Sequence, residues 1–465
     1  MGKQDAMDAL FSRVIERVKP SRHEVAEERA LARRIAKRLR AALPHGIGVE
    51  LVGSVAKDTH LRGDRDLDIF LLFPKGYTRE DLAKKGLEYA KLALGPGDKW
   101  ELGYAEHPYL KAVIEKCQVE IVPCFKIADI AEKASSADRS PMHTRYVLEF
   151  LDEKGIDDVR LLKAFLKRLG VYGAEVKIEG FSGYLCELLI IEAGSFRKLL
   201  EDASARWDMP ALDPESHYEH SRAMRAKFPD SPLVVIDPVD PNRNVAASVS
   251  ASSLARLILA ARAFLKAPSE KFFFVEKVKA VKSDSAALHR RWKERCTHVF
   301  ALEFKAPKVV EDILWPQLRK AAKITATRLE EAGFRVLDSG YWTDESTTCI
   351  MLFELEQADL PRVQKVLGPD VKHAKGADEF IHAHRSALAG PWVEGNRIAV
   401  LEPRRLFRAA DVISEIAQHP GKYGIPSFIA KVLPRARRVS TGALFRKKYF
   451  GFIRGYIEKR DLFSG

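Results

Sequence analysis

Residues 53–73 read GSVAKDTHLRGDRDLDIFLLF, and the last seven of them, LDIFLLF (67–73), are an unbroken apolar run of the kind a buried strand shows. Asp66 and Asp68 stand at the entrance to that strand. Side chains alternate faces along a strand, so these two carboxylates point the same way. Two like charges on one edge are costly unless a cation lies between them, and hard divalent cations such as Mg²⁺ take oxygen ligands while keeping room for phosphate oxygens. Gly53-Ser54 precedes the pair by twelve residues and supplies the small residue and free amides that a triphosphate needs close by. A third acid, Glu120, interrupts the otherwise apolar QVEIVPCF (118–125). Taken singly, Asp66-Leu67-Asp68 is a polar strand entry and Glu120 the wet side of a half-buried strand. Together the three make a set able to hold two ions roughly 3.5–4 Å apart for in-line phosphoryl transfer. One ion activates an attacking hydroxyl and the other neutralises the triphosphate and the leaving pyrophosphate. Such positioning needs no protein nucleophile.

The chain of 465 residues is long enough for about three domains. With 46% hydrophobic and 30% charged residues it can bury real cores, which excludes a disordered, collagen-like or low-complexity protein. No apolar run approaches the ~18 residues of a membrane span. The start, MGKQDAMDALFSRVIERVK (1–19), is amphipathic, contains acids and lacks the apolar core of a secretion signal. Cys117, Cys124, Cys186, Cys296 and Cys349 show no paired or metal-like spacing, so a reduced, cytoplasmic setting is expected. Lys and Arg exceed Asp and Glu by 77 − 64 = 13. That excess points to a polyanionic partner, most often nucleic acid, the plain alternative being a solubility surface. In PRARRVSTGALFRKKYFGFIRGYIEKR (434–460) cations interleave with aromatics. This suits base stacking with phosphate contact, or else a terminal amphipathic element whose aromatics are core.

Outward from the central strand, RHEVAEERALARRIAKRLRAAL (22–43) reads as a long polar helix, GIGVELVGS (46–54) as a strand with a Gly-Ser turn, and the segment near 78–93 as a helix. YLKAVIE (109–115) and QVEIVPCF then form a hairpin through Lys116-Cys117. The turns are too short for crossovers, so the sheet is mixed or mostly antiparallel. Helical periodicity dominates 143–267, with helices in 160–170, in YLCELLIIEAGSFRKLLEDA (184–203) and in 251–267, where Pro268 closes the block. Beyond it come a strand at 298–306, a helix at 309–334 kinked at Pro316, a hairpin around Thr343-Asp344-Glu345, a short helix at 358–368 and a last strand at 392–403. That order is strand-helix-strand-strand-helix-strand, a ferredoxin-like pattern common among RNA-binding modules. The fold class is thus multidomain α+β: 1–142, 143–267 and 268–465.

GSVAKDTHLRGDRDLDIFLLF resembles the signature of the polymerase-β-type nucleotidyltransferase superfamily. More narrowly it is similar to the archaeal-type (class I) CCA-adding family of tRNA nucleotidyltransferases. YAEHPY (104–109), VEIVPCF (119–125), ADRSPMHTRY (137–146), RLLKAFLK (160–167), VYGAEVKIEGFSGYLCELLI (171–190) and DPVDPNRNVAA (237–247) carry the same resemblance, in order, over roughly the first 270 residues. The C-terminal third shares only architecture and the basic aromatic tail. The resemblance implies a catalytic head (1–142), a helical neck (143–267) and an RNA-binding body and tail (268–465). It also implies a homodimer that adds C, C and A to tRNA 3′ ends without a template. CTP and ATP would be its substrates, two Mg²⁺ ions its cofactor, and the acceptor stem and T-arm its binding target. Another polymerase-β-type transferase, such as a poly(A) polymerase, and a non-catalytic RNA-binding relative are the alternatives.

By matching position, the resemblance makes Asp66, Asp68 and Glu120 the metal carboxylates, and places Ser54 and Lys57 at the triphosphate. It brings His143, Lys163 and Tyr172 to the incoming nucleotide, and Arg243 to its base or phosphates. Each has a plain reading too: His143 a capping or surface histidine, Lys163 a lysine snorkelling to solvent, Tyr172 a packing residue, Arg243 the partner of Asp237 or Asp240. Two positions depart from the family pattern. Glu120 stands where aspartate is usual and reaches one methylene farther. Lys57 stands where arginine is common, keeping the charge but losing the bidentate fork.

Overall fold

A computed structural model of the chain describes residues 3–104, 106–274 and 285–459. The chain divides into two compact units, 1–277 and 278–460. Ala105, within the YAEHPY stretch, and Arg460, at the end of the basic tail, lie outside the described residues. No described helix is long and apolar enough to cross a membrane.

The first unit contains a five-stranded mixed sheet built from β1 (Gly48–Val52), β2 (Asp66–Phe73), β3 (Lys99–Tyr104), β4 (Pro108–Ile114) and β5 (Cys117–Phe125). Their order is β1-β2-β5-β4-β3. β2 and β5 run parallel, and every other pair is antiparallel. The alternation of the strands decides what each face carries. Leu67, Ile69, Leu71, Phe73, Val119 and Ile121 pack beneath Leu31, Ile35 and Leu39 of the helix Arg22–Ala42 and beneath Leu82 and Ala90 of the helical stretch 79–91. The intervening positions, Asp66, Asp68, Gln118 and Glu120, are thereby turned to the opposite face. Farther along, that face is apolar again, with Phe70 and Cys124 against Val52.

The β4–β5 turn falls one residue earlier than its sequence suggests. Glu115 (φ 50°) and Lys116 (φ 68°) form it, while Cys117 already pairs with Ile114. A two-residue hairpin turn with both residues left-handed matches the twist of the strands it joins. β3 was not expected from the sequence. KWELGY does alternate, but it is an edge strand whose Trp100 and Leu102 remain 45% and 36% exposed.

The rest of this unit is mostly helical, including Ser140–Phe150, Glu153–Leu169, Gly183–Ala193, Phe196–Arg206 and Ala251–Lys266. The stretch expected to be dominated by helices also holds a small three-stranded sheet, Ala211–Leu212, Val234–Asp237 and Asp240–Asn244, which carries Asp237 and Arg243. Phe165, Phe196, Phe264, Phe272 and Phe273 interlock at its centre. Glu153–Leu169 stops at left-handed Gly170, as the sequence suggests. The expected single helix over 184–203 is two. Gly194 (φ 76°) ends the first, and the Ser195 side chain accepts from Lys198 N to start the second.

In the second unit the strands His298–Lys305, Val336–Thr343, Thr348–Leu355 and Arg437–Val439 form one antiparallel sheet. In chain order its arrangement is second-third-first-fourth, the ferredoxin-like order. The expected pattern is therefore present with different members. Residues 363–368, expected to end the short helix 358–368, belong instead to the strand Val363–Asp370. The expected last strand at 392–403 is a hairpin, Ala389–Glu394 and Arg397–Pro403, turning at Gly395-Asn396. These three strands make a separate sheet, inserted before the true second helix, Ala409–Gln418, and the true fourth strand. The helix Glu311–Glu331 continues through Pro316.

Both faces of the ferredoxin-like sheet are covered. Phe300, Phe304, Met351 and Phe353 pack on the long helices. Ala301, Ile350 and Leu352 pack against Leu288, Trp292 and the tail residues Leu444, Phe445, Tyr449, Ile453 and Tyr456. The tail aromatics are thus core. Phe445 and Tyr449 precede the helix Phe450–Glu458, which adds Ile453 and Tyr456 to the same cluster.

Candidate active site

Asp68 and Glu120 are direct neighbours in the β2–β5 register, and Asp66 lies two residues before Asp68 on the same face. The sheet therefore brings the three predicted carboxylates together at one end of adjacent parallel strands, whose spacing is about 4.8 Å. Burial, then Glu120, then Asp66 push the Asp68 carboxyl up to about 7. Asp66 is raised too, by burial and by Asp64, against the pull of Lys167. Glu120 is steadied from β4, its cross-strand neighbour Lys111 lying 3.3 Å away. Among the described residues, no three acid, thiol or imidazole side chains already close around one point, as expected of carboxylates that repel one another. Oxygen donors of like charge, one of them holding its proton to about pH 7, are a donor set that fits a hard divalent cation.

Gly53 makes the approach of β1 possible. Its φ is +76°, and a Cβ there would lie 1.9 Å from Asp68 Oδ2, so no side chain fits. The short helix Gly53–Ala56 follows and carries Ser54 into a cleft of ≈ 400 Å³. Gly53, Ser54, Asp68 and Glu120 form one wall of the cleft. His143, Lys163, Tyr172 and Tyr184 line it from the helical side, together with Lys57 and Glu187. Asp66 and Arg243 lie outside that lining.

The predicted cations are not free. Lys57 donates to Glu187 Oε2, and Thr59 Oγ1 lies 2.5 Å from Glu187 Oε1. Lys163 is 1% exposed rather than snorkelling. Its Nζ donates to Thr59 O at 2.9 Å and stands 3.7 Å from Glu187 Oε1. Burial alone would raise the Glu187 carboxyl, but the two lysines outweigh it and hold the group below its ordinary value. Burial lowers Lys163. Two ammonium groups thus share one buried carboxylate, leaving a surplus positive charge beside the cleft.

A second network lies behind the aromatic wall. His143 stacks on Tyr184, with ring centroids 4.0 Å apart, and its Nε2 lies 2.9 Å from Asp237 Oδ2. Tyr184 donates to Asp237 Oδ1 at 3.2 Å and Arg243 to Oδ2 at 2.7 Å. Burial would raise Asp237, but His143 and Arg243 draw it down to about 2. Burial lowers His143, so Arg243 is the counterion and a neutral imidazole protonated at Nε2 donates to the carboxylate. Arg243 reaches the cleft only through Asp237, the pairing its plain reading expected. Tyr172 contributes its half-buried ring to the lining, and burial raises its hydroxyl well above the usual range.

The sequence reading missed Glu187 and Tyr184, and named Asp237 only as one of two partners for Arg243. Glu187 carried a legible signal, the one acid among the eight residues YLCELLII (184–191). Glu106 and His107 make structural contacts: Glu106 Oε1 accepts from Ser136 N at 3.1 Å, and His107 Nε2 lies 2.6 Å from Pro123 O.

Residues 32–147 match the nucleotidyltransferase domain family. Residues 157–274 match the second domain of tRNA nucleotidyltransferase, and 295–435 match the C-terminal domain of CCA-adding enzymes. The CCA-adding enzyme of Methanoregula boonei is 38% identical over 445 residues, covering 94% of this chain and 93% of that protein. That of Halobacterium salinarum is 40% identical over 408 residues, covering 86% and 87%. That of Pyrococcus abyssi is 38% identical over 412 residues, covering 87% and 88%. Full-length relatives at this identity, agreeing with the domain matches, show that the chain belongs to the archaeal-type (class I) CCA-adding enzyme family.

Proposed function

We propose that this protein adds C, C and A to the 3′ end of tRNA, using CTP and ATP and releasing pyrophosphate. The observation that carries the reading is the pairing of Asp68 with Glu120 across adjacent parallel strands, facing a cleft whose other wall is cationic and aromatic. Asp66, Asp68 and Glu120 would hold two Mg²⁺ ions, which when bound would lower the pKa of the terminal RNA hydroxyl and neutralise the leaving pyrophosphate.

The chain's own residues do the positioning. Gly53 lets the backbone approach Asp68, and Ser54 offers a hydroxyl to the triphosphate. Lys57 and Lys163, sharing Glu187, lend it net positive charge. Tyr172 and the stacked His143–Tyr184 pair flank the base or sugar. Asp237, anchored by Arg243, fixes the imidazole and the phenol so that neither must reorganise when the nucleotide arrives. Residues 1–142 act as the catalytic head, 143–267 as the neck that completes the nucleotide pocket, and 268–465 as the body and tail that hold tRNA as a homodimer. Because both faces of the ferredoxin-like sheet are covered, the body would grip its RNA by cationic edges rather than by stacking bases on the sheet. All five cysteines are free, four of them buried, which suits a reducing cytoplasm.

The test is incorporation of labelled CTP and ATP, separately and together, onto tRNA lacking its last three nucleotides. Two C and one A are expected, and long A-only products would support a poly(A) polymerase instead.

A further inference from the structure

The helix Arg22–Ala42 carries a feature that the cleft does not use. At about 100° per residue, Arg22, Arg29, Arg33 and Arg40 fall within about 40° of one another. They form a stripe about 27 Å long, opposite the buried Leu31, Ile35 and Leu39. The helix's acids point elsewhere. Glu24 caps Ser21 and faces Arg62, Glu27 faces Arg65, and Glu28 lies 2.9 Å from His60. Arg40 donates to a carbonyl, Val49 O, at 2.8 Å. Among the described residues, Arg22, Arg29 and Arg33 are exposed and have no partner. Two hollows of ≈ 440 and ≈ 450 Å³ run along the stripe and share Arg29 and Arg33, so the guanidinium groups line one continuous trough. Ala26 and Ala36 keep it open.

We propose that this trough is a docking rail for the phosphate backbone of RNA, separate from the catalytic cleft. This rests on the reading of tRNA as the substrate. Unpaired guanidinium groups along one helix face can each take a phosphate bidentately and carry no base specificity. The trough's larger apolar lining residues, Val25, Leu51 and Val55, are half-buried or buried, and its one acid, Asp58, is paired with Arg160. The absence of an exposed apolar anchor on this lining, among the described residues, disfavours a membrane surface, where such anchors accompany the charge.

The test compares wild type with a triple variant, Arg22→Gln, Arg29→Gln and Arg33→Gln. A charge-matched control, Arg206→Gln, Arg256→Gln and Lys266→Gln, removes exposed cations elsewhere on the same unit. Binding of trimmed tRNA is measured across a salt series, and thermal melting checks that each variant is folded. Loss of about three phosphate contacts lowers the slope of log K against log salt by about 2–3 and weakens binding at least about tenfold near 0.1 M salt. The control changes neither by as much, and replacing the three arginines with lysine restores the slope. Single-turnover CTP addition at saturating tRNA remains at the wild-type rate. An unchanged slope, or equal losses in triple variant and control, overturns the proposal. So does loss of binding to phosphatidylserine vesicles with tRNA affinity intact. Failure of the wild type to extend trimmed tRNA at all refutes the functional reading instead, and the salt slope is read independently of it.

Discussion

Replacing Asp68 with asparagine should make the metal-free protein more stable while abolishing its activity. In the folded state the Asp68 carboxyl keeps its proton up to about pH 7 rather than its ordinary 3.8. The folded chain therefore binds more protons than the unfolded chain across that window, and stability contributed by this group falls as pH rises through it. Each pH unit corresponds to about 1.4 kcal/mol, so by pH 8 the accumulated cost is about 4 kcal/mol at its upper limit. Asparagine carries no charge to desolvate but leaves an amide short of partners, worth about 1–2 kcal/mol. The net expectation is that Asp68→Asn is more stable by about 2 kcal/mol at pH 8 in EDTA, in the unfolding transition of the first unit. The advantage should vanish below about pH 3, where the wild-type carboxyl is neutral in both states. Adding Mg²⁺ should stabilise the wild type and not the variant. CTP incorporation should be lost. A variant less stable than wild type at pH 8 without metal, or an advantage that does not change with pH, would refute the reasoning.

Glu187→Gln leaves Lys57 and Lys163 buried without their shared counterion, so the first unit should lose about 3–5 kcal/mol. CTP should recover part of that loss, and calorimetry with and without nucleotide reads both effects; unchanged stability would contradict the buried-pair account. Gly53→Ala places a methyl group against Asp68 Oδ2 and should reduce CTP incorporation at least about a hundredfold while the chain stays folded. Activity within about threefold of wild type would show that the turn relaxes. Phe445→Ala should cost the second unit about 3–5 kcal/mol in urea unfolding, because Phe445 is core. Its tRNA affinity per folded molecule should change less than about threefold, and the opposite pattern would restore a stacking role to the tail.

The part of the fold that positions the carboxylates was legible because it depends on local alternation. Asp66, Asp68 and Glu120 each stand one residue out of step with an apolar row, and the period of two turns all three to one face. What was not legible depends on distant pairing. The residues between the first hairpin and the second helix of the ferredoxin-like unit form their own sheet, and nothing in VQKVLGPD distinguishes an inserted strand from a short helix, since Val363, Val366 and Leu367 also satisfy a helical spacing. The true fourth strand, Arg437–Val439, is three residues long and mostly charged, and only its pairing with Glu303, Leu302 and Ala301 makes it a strand. The same limit applies in the cleft. Lys57 and Glu187 meet across 130 residues, so Lys57 read as an open phosphate contact although its ammonium already has a buried partner.

The most direct measurement of the central claim is a titration of Mn²⁺ into the protein followed by electron paramagnetic resonance, with and without CTP, for wild type, Asp68→Asn and Glu120→Gln. Two bound ions are predicted for the wild type with CTP present, with affinity falling below about pH 7 as the Asp68 proton competes. At least one ion should be lost in each variant. Equal Mn²⁺ binding by all three proteins would contradict the assignment of these carboxylates as the metal-holding residues.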